Sequence, residues 1–273
     1  MGRPKVKLGL WIGAALGSTL TACQPLSVQT VALEIREMCS ASTAQACLEE
    51  IKKRYSTTLD DSKKHALLIA AINAYLELGD QSMAIRLMVQ ALPTLQSKSI
   101  ESSCESIRST VEKARHLNRW LFLDRFLSEL NKLPSHRSCL TTLNATVIHA
   151  MALYELGRYR ESLNLVDQVF AKGGSQDSTV DFLAAKNSFM LGDYDRCIDQ
   201  LKFHDSRKRH DSKALSLSIL LASCLEHKEL YPEALAVLDH LIATEAGENV
   251  EMIRKKRTMI EKRTSMIEKR LEW

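Results

Sequence analysis

The chain has 273 residues, 45% of them hydrophobic, with 37 Lys or Arg against 33 Asp or Glu. That is ample for a buried core, and so small a charge excess gives no field to attract nucleic acid. Only 10 Gly and 5 Pro occur, and no run of alternating β-branched residues stands out, so the composition points to helices rather than sheets.

At the amino end, Met1 to Lys7 carries Arg3, Lys5 and Lys7 and no acid, and Leu8 to Leu20 follows without any charge. A basic stretch before an apolar one is the layout of a secretory signal. The apolar run is shorter than the roughly 20 residues of a membrane span. It ends Leu20-Thr21-Ala22-Cys23, which resembles the lipobox of bacterial lipoproteins: a branched apolar residue, two small ones, and the cysteine whose thiol takes the diacylglycerol. The resemblance implies removal of residues 1–22 and a lipid on Cys23. Gln24 stands where, in such proteins, an Asp would hold the product in the inner membrane. Outer-membrane attachment facing the periplasm is therefore implied. Processing leaves 34 basic and 33 acidic residues, and the tether 23–30 is short. Its seven residues after the cysteine span at most about 25 Å.

Residues 31–57 read as a helical hairpin, Val31 to Met38 and Ala44 to Tyr55, with Ser42 and Gln45 as a capping box for the second helix. From 58 to 245, apolar residues recur at helical spacing between short breaks at Gly79-Asp80, Leu133-Pro134-Ser135, Gly157-Arg158, Gly173-Gly174-Ser175 and Gly192-Asp193. Three of these breaks share a context. Ala74 to Asp80, Ala152 to Tyr159 and Ser188 to Tyr194 each carry Leu before the Gly and a small residue five after it: Ala84, Ser162 and Cys197. A further copy spans Ala222 to Leu241, with Glu229 at the Gly position and Tyr231, Ala234 and Leu238 in place; a degenerate one, His116 to Leu130, has Asn118 and Trp120. The turns at 79, 118, 157, 192 and 229 are spaced 39, 39, 35 and 37 residues apart.

This pattern resembles the tetratricopeptide repeat, a helix-turn-helix unit of about 34 residues. The resemblance implies an all-α, right-handed superhelical solenoid whose first helices line a concave, protein-binding face. Carried over from the turn positions, that face holds Asn73, Leu76 and Glu77; then Asn144, Met151, Tyr154 and Glu155; then Phe182, Lys186 and Phe189; then Ser223, Glu226 and His227. Tyr154, Phe182 and Phe189 are expected to cluster, either as an apolar strip for a partner or as packing between repeats.

With Cys23 set aside, Cys39, Cys47, Cys104, Cys139, Cys197 and Cys224 remain, an even number that suggests disulfides in an exported chain. Cys39 and Cys47 flank the expected turn of the first hairpin; Cys197 and Cys224 fall on helices of adjacent repeats; Cys104 and Cys139 are left to each other. No CxxC spacing supports a zinc site. Residues 247–273 read as a basic terminal helix in which Met-Ile-Glu-Lys-Arg recurs at 259 and 266, with Met252-Ile253 in the same register. It could cap the last repeat, lie on anionic lipid or bind a partner.

No phosphate loop, dinucleotide fingerprint, nucleophile elbow or HExxH is present. His204-Asp205-Ser206 and His210-Asp211-Ser212 read as a solvated, helix-capping loop rather than a metal site. Neither a cofactor nor an activity is expected. The resemblances together imply a lipid-anchored scaffold that binds another envelope protein or peptide, in the manner of pilotins that assist pilus and secretion complexes. The alternatives are an adaptor of peptidoglycan enzymes or proteases, or a cell-wall hydrolase.

Overall fold

The computed structural model describes residues 43–58, 61–96, 100–134, 137–142, 144–172, 178–205, 214–244 and 248–271. These form thirteen helices and no strand: α1 Ala44–Thr57, α2 Asp61–Leu78, α3 Gln81–Gln96, α4 Ile100–His116, α5 Trp120–Leu130, α6 Arg137–Thr142, α7 Ala145–Glu155, α8 Tyr159–Ala171, α9 Ser178–Met190, α10 Tyr194–Asp205, α11 Ala214–His227, α12 Tyr231–Thr244 and α13 Glu248–Leu271. Five antiparallel hairpins, α2/α3, α4/α5, α7/α8, α9/α10 and α11/α12, follow one another, with α1 before the first and α13 after the last. The fold is an all-α solenoid.

One turn builds every hairpin. Gly79, Asn118, Gly157, Gly192 and Glu229 all have positive φ, between 55° and 82°. After each, the next residue's N–H donates back across the turn: Asp80 to Tyr75, Arg119 to Ala114, Arg158 to Leu153, Asp193 to Ser188 and Leu230 to Leu225, all at 2.8–2.9 Å. That is the left-handed closure of a helix end, which absorbs carbonyls the helix leaves unpaired. Five residues beyond each turn stand Ala84, Leu123, Ser162, Cys197 and Ala234, all 0% exposed. Four of the five are small, so the paired helices approach closely there.

The core lies along the stack as four successive clusters. Leu48 and Ile51 of α1 meet Leu67 and Ala71 of α2. Ile72, Met88, Val111, Phe122 and Leu127 continue it through α5, and Ile148 and Ala152 bring in α7. Val166, Val180 and Ala184 join α8 to α9, and Cys197, Leu225, Leu238, Ile253 and Ile260 carry it to α13. Polar links sit between hairpins. Arg119 Nε donates to the Leu76 carbonyl (2.7 Å), and the Phe122 N–H to Gln81 Oε1 (3.2 Å). Buried Ser162 donates to the Ala150 carbonyl (2.6 Å) and accepts from Asn187 Nδ2 (2.8 Å).

Three sequence expectations change. The first described helix is capped by Thr43, whose Oγ1 accepts from the Ala46 N–H (3.3 Å), one residue later than the pattern at Ser42 indicated. Serine is the better cap by a small margin, but threonine caps through the same hydroxyl, so the pattern could not choose. The 39-residue interval from 118 to 157 contains an unexpected short helix, α6, too brief for any periodicity to reveal. Cys104 and Cys139, left to each other above, are free thiols. They are neighbours all the same: burial first, then a hydrogen bond with Cys104, pushes the Cys139 thiol up to about 12.

The other cysteines of the described residues are bonded. Cys197 on α10 is joined to Cys224 on α11, with Cα atoms 6.3 Å apart. Cys47 also takes part in a disulfide; Cys23 and Cys39 lie outside the described residues. The expected signal, tether and first hairpin helix, and residues 206–213 of the His-Asp loop, also lie outside them.

Candidate functional site

The first helices of successive hairpins touch along one side of the stack: α2 meets α4, α7 meets α9, and α9 meets α11. Two groups of rings lie on the run from α7 to α11. In the first, Lys186 of α9 places its ammonium over the Tyr154 ring (4.7 Å to the centroid) and the Phe182 ring (4.9 Å). Such a cation is attracted by the negative faces of both rings. Tyr159, opening α8, leans on Tyr154 at 5.4 Å. Burial and then Glu155 raise the Tyr154 phenol above its ordinary value.

In the second group, Tyr194 stacks on His227 (4.7 Å, 9° between planes), and Phe189 sets its edge to both at 5.7 and 5.3 Å. Phe189 thus makes its ring contacts with Tyr194 and His227 rather than with Tyr154, although it packs against the same core cluster as Phe182. It lies two helical turns beyond Phe182 on α9, about 10 Å along the axis, and meets the following repeat instead. Tyr154, Phe182, Lys186, Phe189 and Tyr194 are half-buried, while Glu155 and His227 are exposed. Met151 is half-buried against the apolar cluster of α7 to α9.

Other residues assigned to the face are engaged elsewhere. Leu76 is wholly buried in the core. Asn73 is half-buried, and its Oδ1 is enclosed without a hydrogen-bond partner. Glu77 is exposed but ion-paired with Lys113 of the next hairpin. Asn144 is the left-handed residue that opens α7 (φ 54°), exposed at a joint rather than on a helix. Ser223 donates its hydroxyl to the Ile219 carbonyl of its own helix (2.8 Å). Glu226, with its side chain only 10% exposed, is held by Lys256 (3.0 Å) and Arg263 of α13. Leu76, Tyr154, Phe189 and Glu226 all stand three residues before their turns. This position is the seam with the next element, so a Leu there is core and a larger ring protrudes from it.

The sequence reading missed a polar joint between the second and third hairpins. Asp124, 4% exposed, accepts from His149 Nε2 (2.9 Å) and from Arg158 Nη1 (2.6 Å), and Arg158 forks onto Glu161 (2.7 and 2.5 Å). The hydrogen bond from Arg158 holds the Glu161 carboxyl below its ordinary value. A pocket of about 260 Å³ opens here, lined also by Ser128 and Asn164. Ser128 Oγ lies 3.4 Å from His149 Nε2, the same nitrogen that meets Asp124, and Nδ1 is buried without a partner. A serine-histidine-aspartate relay needs serine and carboxylate on opposite nitrogens, so this trio ties hairpins together. The joint's outermost residues, Asp124 and Glu161, are 37 residues apart, and no spacing rule flags such a joint.

No protein-family model and no curated protein matches the chain. Among solved structures it is similar to a tetratricopeptide repeat protein from Parabacteroides merdae, at 16% identity over 87% of this chain and 88% of that one, with a TM-score of 0.49. It is also similar to the TPR2AB domain of yeast Sti1 in its pHSP90 complex, at 13% identity over 87% and 98%, with a TM-score of 0.37. The chain's own five shared turns define its class: a solenoid of tetratricopeptide-like helical hairpins.

Proposed function

We propose that the protein is a lipid-anchored scaffold of the bacterial envelope that binds a protein segment and aids assembly of a pilus- or secretion-type complex. The observation that carries the binding role is the strip of rings and charges from α7 to α11. Tyr154, Phe182 and Lys186 form one station, and Phe189, Tyr194 and His227 the next. Half-exposed rings beside a cation and the acid Glu155 suit a peptide or helix that needs an apolar anchor and a fixed register. The lipobox resemblance at Leu20 to Cys23 supports the anchor, and the seven-residue tether would keep the solenoid near the membrane. No described helix is long and apolar enough to cross a membrane itself.

Co-purification from detergent-solubilised membranes tests the binding role. The wild-type chain should retain a partner that Tyr154→Ala and Lys186→Glu each release, at about 1–3 kcal/mol for the ring. Loss of affinity in step with a fall in melting temperature would make the rings structural only. Labelled palmitate should enter the wild-type chain and not Cys23→Ser; no label in the wild type refutes the anchor. Secretin or pilus subunits among the captured proteins would bear out the assembly role, whereas cell-wall enzymes or proteases would replace it with the adaptor reading.

A further inference from the structure

The terminal helix α13 has two faces with different accounts. One is fully occupied. Ile253 and Ile260, 1% and 0% exposed, are buried in the core cluster that contains Leu238 and Leu241 of α12. Lys256 and Arg263 grip Glu226 of α11, and Arg257 binds Asp239 of α12 and its own Glu261. This is how a capping helix closes a solenoid.

The adjoining face is not what a cap requires. Met252, Met259 and Met266 are 51%, 56% and 57% exposed, and Ile267 is 37% exposed. A cap turns a polar face outward, yet here three thioethers stand in water. Their spacing of seven keeps them in line, because a heptad drifts only about 20° around a helix. The row is about 21 Å long. Three residues after each methionine comes a lysine, Lys255, Lys262 and Lys269. These are exposed and, unlike Lys256, Arg257 and Arg263, make no ion pair among the described residues. A row of adaptable apolar side chains beside a row of unpaired cations is half of a heptad seam with its flanking charges.

We propose that this methionine-lysine face of α13 docks an acidic amphipathic helix of a partner protein, at a site separate from the ring strip. Charge selects that occupant over the two others. A second copy would set the lysine row against itself if the helices met antiparallel, or against the Lys256/Arg263 side if they met parallel. Both arrangements oppose like charges. A lipid surface calls for a broad apolar face with aromatic residues, and the methionine row covers only about 40° of arc. An acidic helix with an apolar heptad fills the seam and neutralises the lysines together.

The test uses the full chain in neutral detergent and a labelled synthetic 21-residue peptide. The peptide carries leucine at both heptad core positions and glutamate at the flanking ones; a scrambled peptide of the same composition is the control. Fluorescence anisotropy should show at least tenfold tighter binding of the heptad peptide than of the scrambled one. The triple variant Met252→Ser/Met259→Ser/Met266→Ser, checked for unchanged melting, should erase that difference while leaving the charge intact. Lys255→Glu/Lys262→Glu/Lys269→Glu should instead prefer a lysine-flanked peptide. Equal binding of the two peptides overturns the proposal. So does release of the heptad peptide by micelles doped with phosphatidylglycerol, or dimerisation that the methionine variant abolishes. None of these substitutions touches the ring strip, so either site can fail without the other.

Discussion

Five turns of one geometry, three with glycine and two without, make a controlled experiment within a single chain. Glu229 has φ of 60° and Gly157 has φ of 75°, and both close their helices through the same pair of backbone hydrogen bonds. An L residue in this region carries roughly 1–2 kcal/mol of steric strain. Glycine carries none, but gives back roughly 0.5–1 kcal/mol through the greater freedom of its unfolded chain. Glu229→Gly should therefore stabilise the last hairpin by about 0.5–1 kcal/mol, and Gly157→Ala should destabilise the third by a similar amount. The alanine cost is backbone strain alone, because a Cβ on Gly157 would meet nothing within 4 Å. Gly79→Ala adds a contact, since its Cβ would sit 3.4 Å from the Arg119 guanidinium that donates to the Leu76 carbonyl. That distance is ordinary van der Waals contact with the end of a flexible side chain, so the cost of Gly79→Ala should match that of Gly157→Ala. Solenoids open unit by unit, so native-state hydrogen exchange is the assay, read at the Leu230 and Arg158 amides that close the turns. Protection should rise about two- to fivefold at Leu230 in Glu229→Gly and fall comparably at Arg158 in Gly157→Ala. A Glu229→Gly chain that is less protected at Leu230 would refute the reasoning and mean that the glutamate side chain is a contact.

Other outcomes follow from the packing. Replacing both Cys197 and Cys224 by Ala removes a bridge between residues 27 apart; the chain-entropy relation gives a loss of about 3–4 kcal/mol, which calorimetry of the double variant beside the wild type without reductant should show, while reductant, which also opens the Cys47 disulfide, should lower the melting of both chains and bring them together. Cys139 should resist iodoacetamide at pH 8, since its thiolate is suppressed; the unfolded thiol ionises near its ordinary 9 and the folded one near 12, so its contribution to stability is complete below pH 9 and declines as pH rises from 9 to 12. A pH titration of urea midpoints that rises over that window contradicts this. Leu76→Ala should cost about 2–5 kcal/mol, as for any enclosed leucine; a melting temperature equal to wild type would return Leu76 to the binding face.

What the sequence revealed about the fold was what is local. Gly79, Gly157 and Gly192 mark turns because a left-handed residue is a property of one position. Asn118 and Glu229 could be placed by the aromatic residue two further on, Trp120 and Tyr231, and in the second case also by Ala234 and Leu238. The candidate face was less legible, because alignment to a repeat tells which helix a residue occupies and not which neighbour covers it. Leu76 and Glu226 share the register of Tyr154 and Phe189, yet one is sealed by the core and the other by α13. The Asp124–His149–Arg158 joint and the Cys104/Cys139 neighbours depend on contacts between helices separated by 25 to 35 residues, to which periodicity is blind.

That seam position ties the binding strip to the stability of the stack. Tyr154 and Phe182 share the Lys186 ammonium across the α7/α9 boundary, and Phe189 reaches His227 across the α9/α11 boundary. The same side chains proposed to face a partner therefore set how adjacent hairpins lean on one another. A ligand that engages Lys186 must compete with two ring faces already holding the cation, or leave it in place and add a third contact. A carboxylate reaching the exposed side of Lys186 strengthens the first station without dismantling it, whereas an aromatic anchor would have to displace one of the rings. The strip is thus better matched to an acidic segment with small apolar residues than to an aromatic one. The acidic helix proposed for Lys255, Lys262 and Lys269 of α13, which make no ion pair among the described residues, would bring the same sign of charge to the far end of the stack.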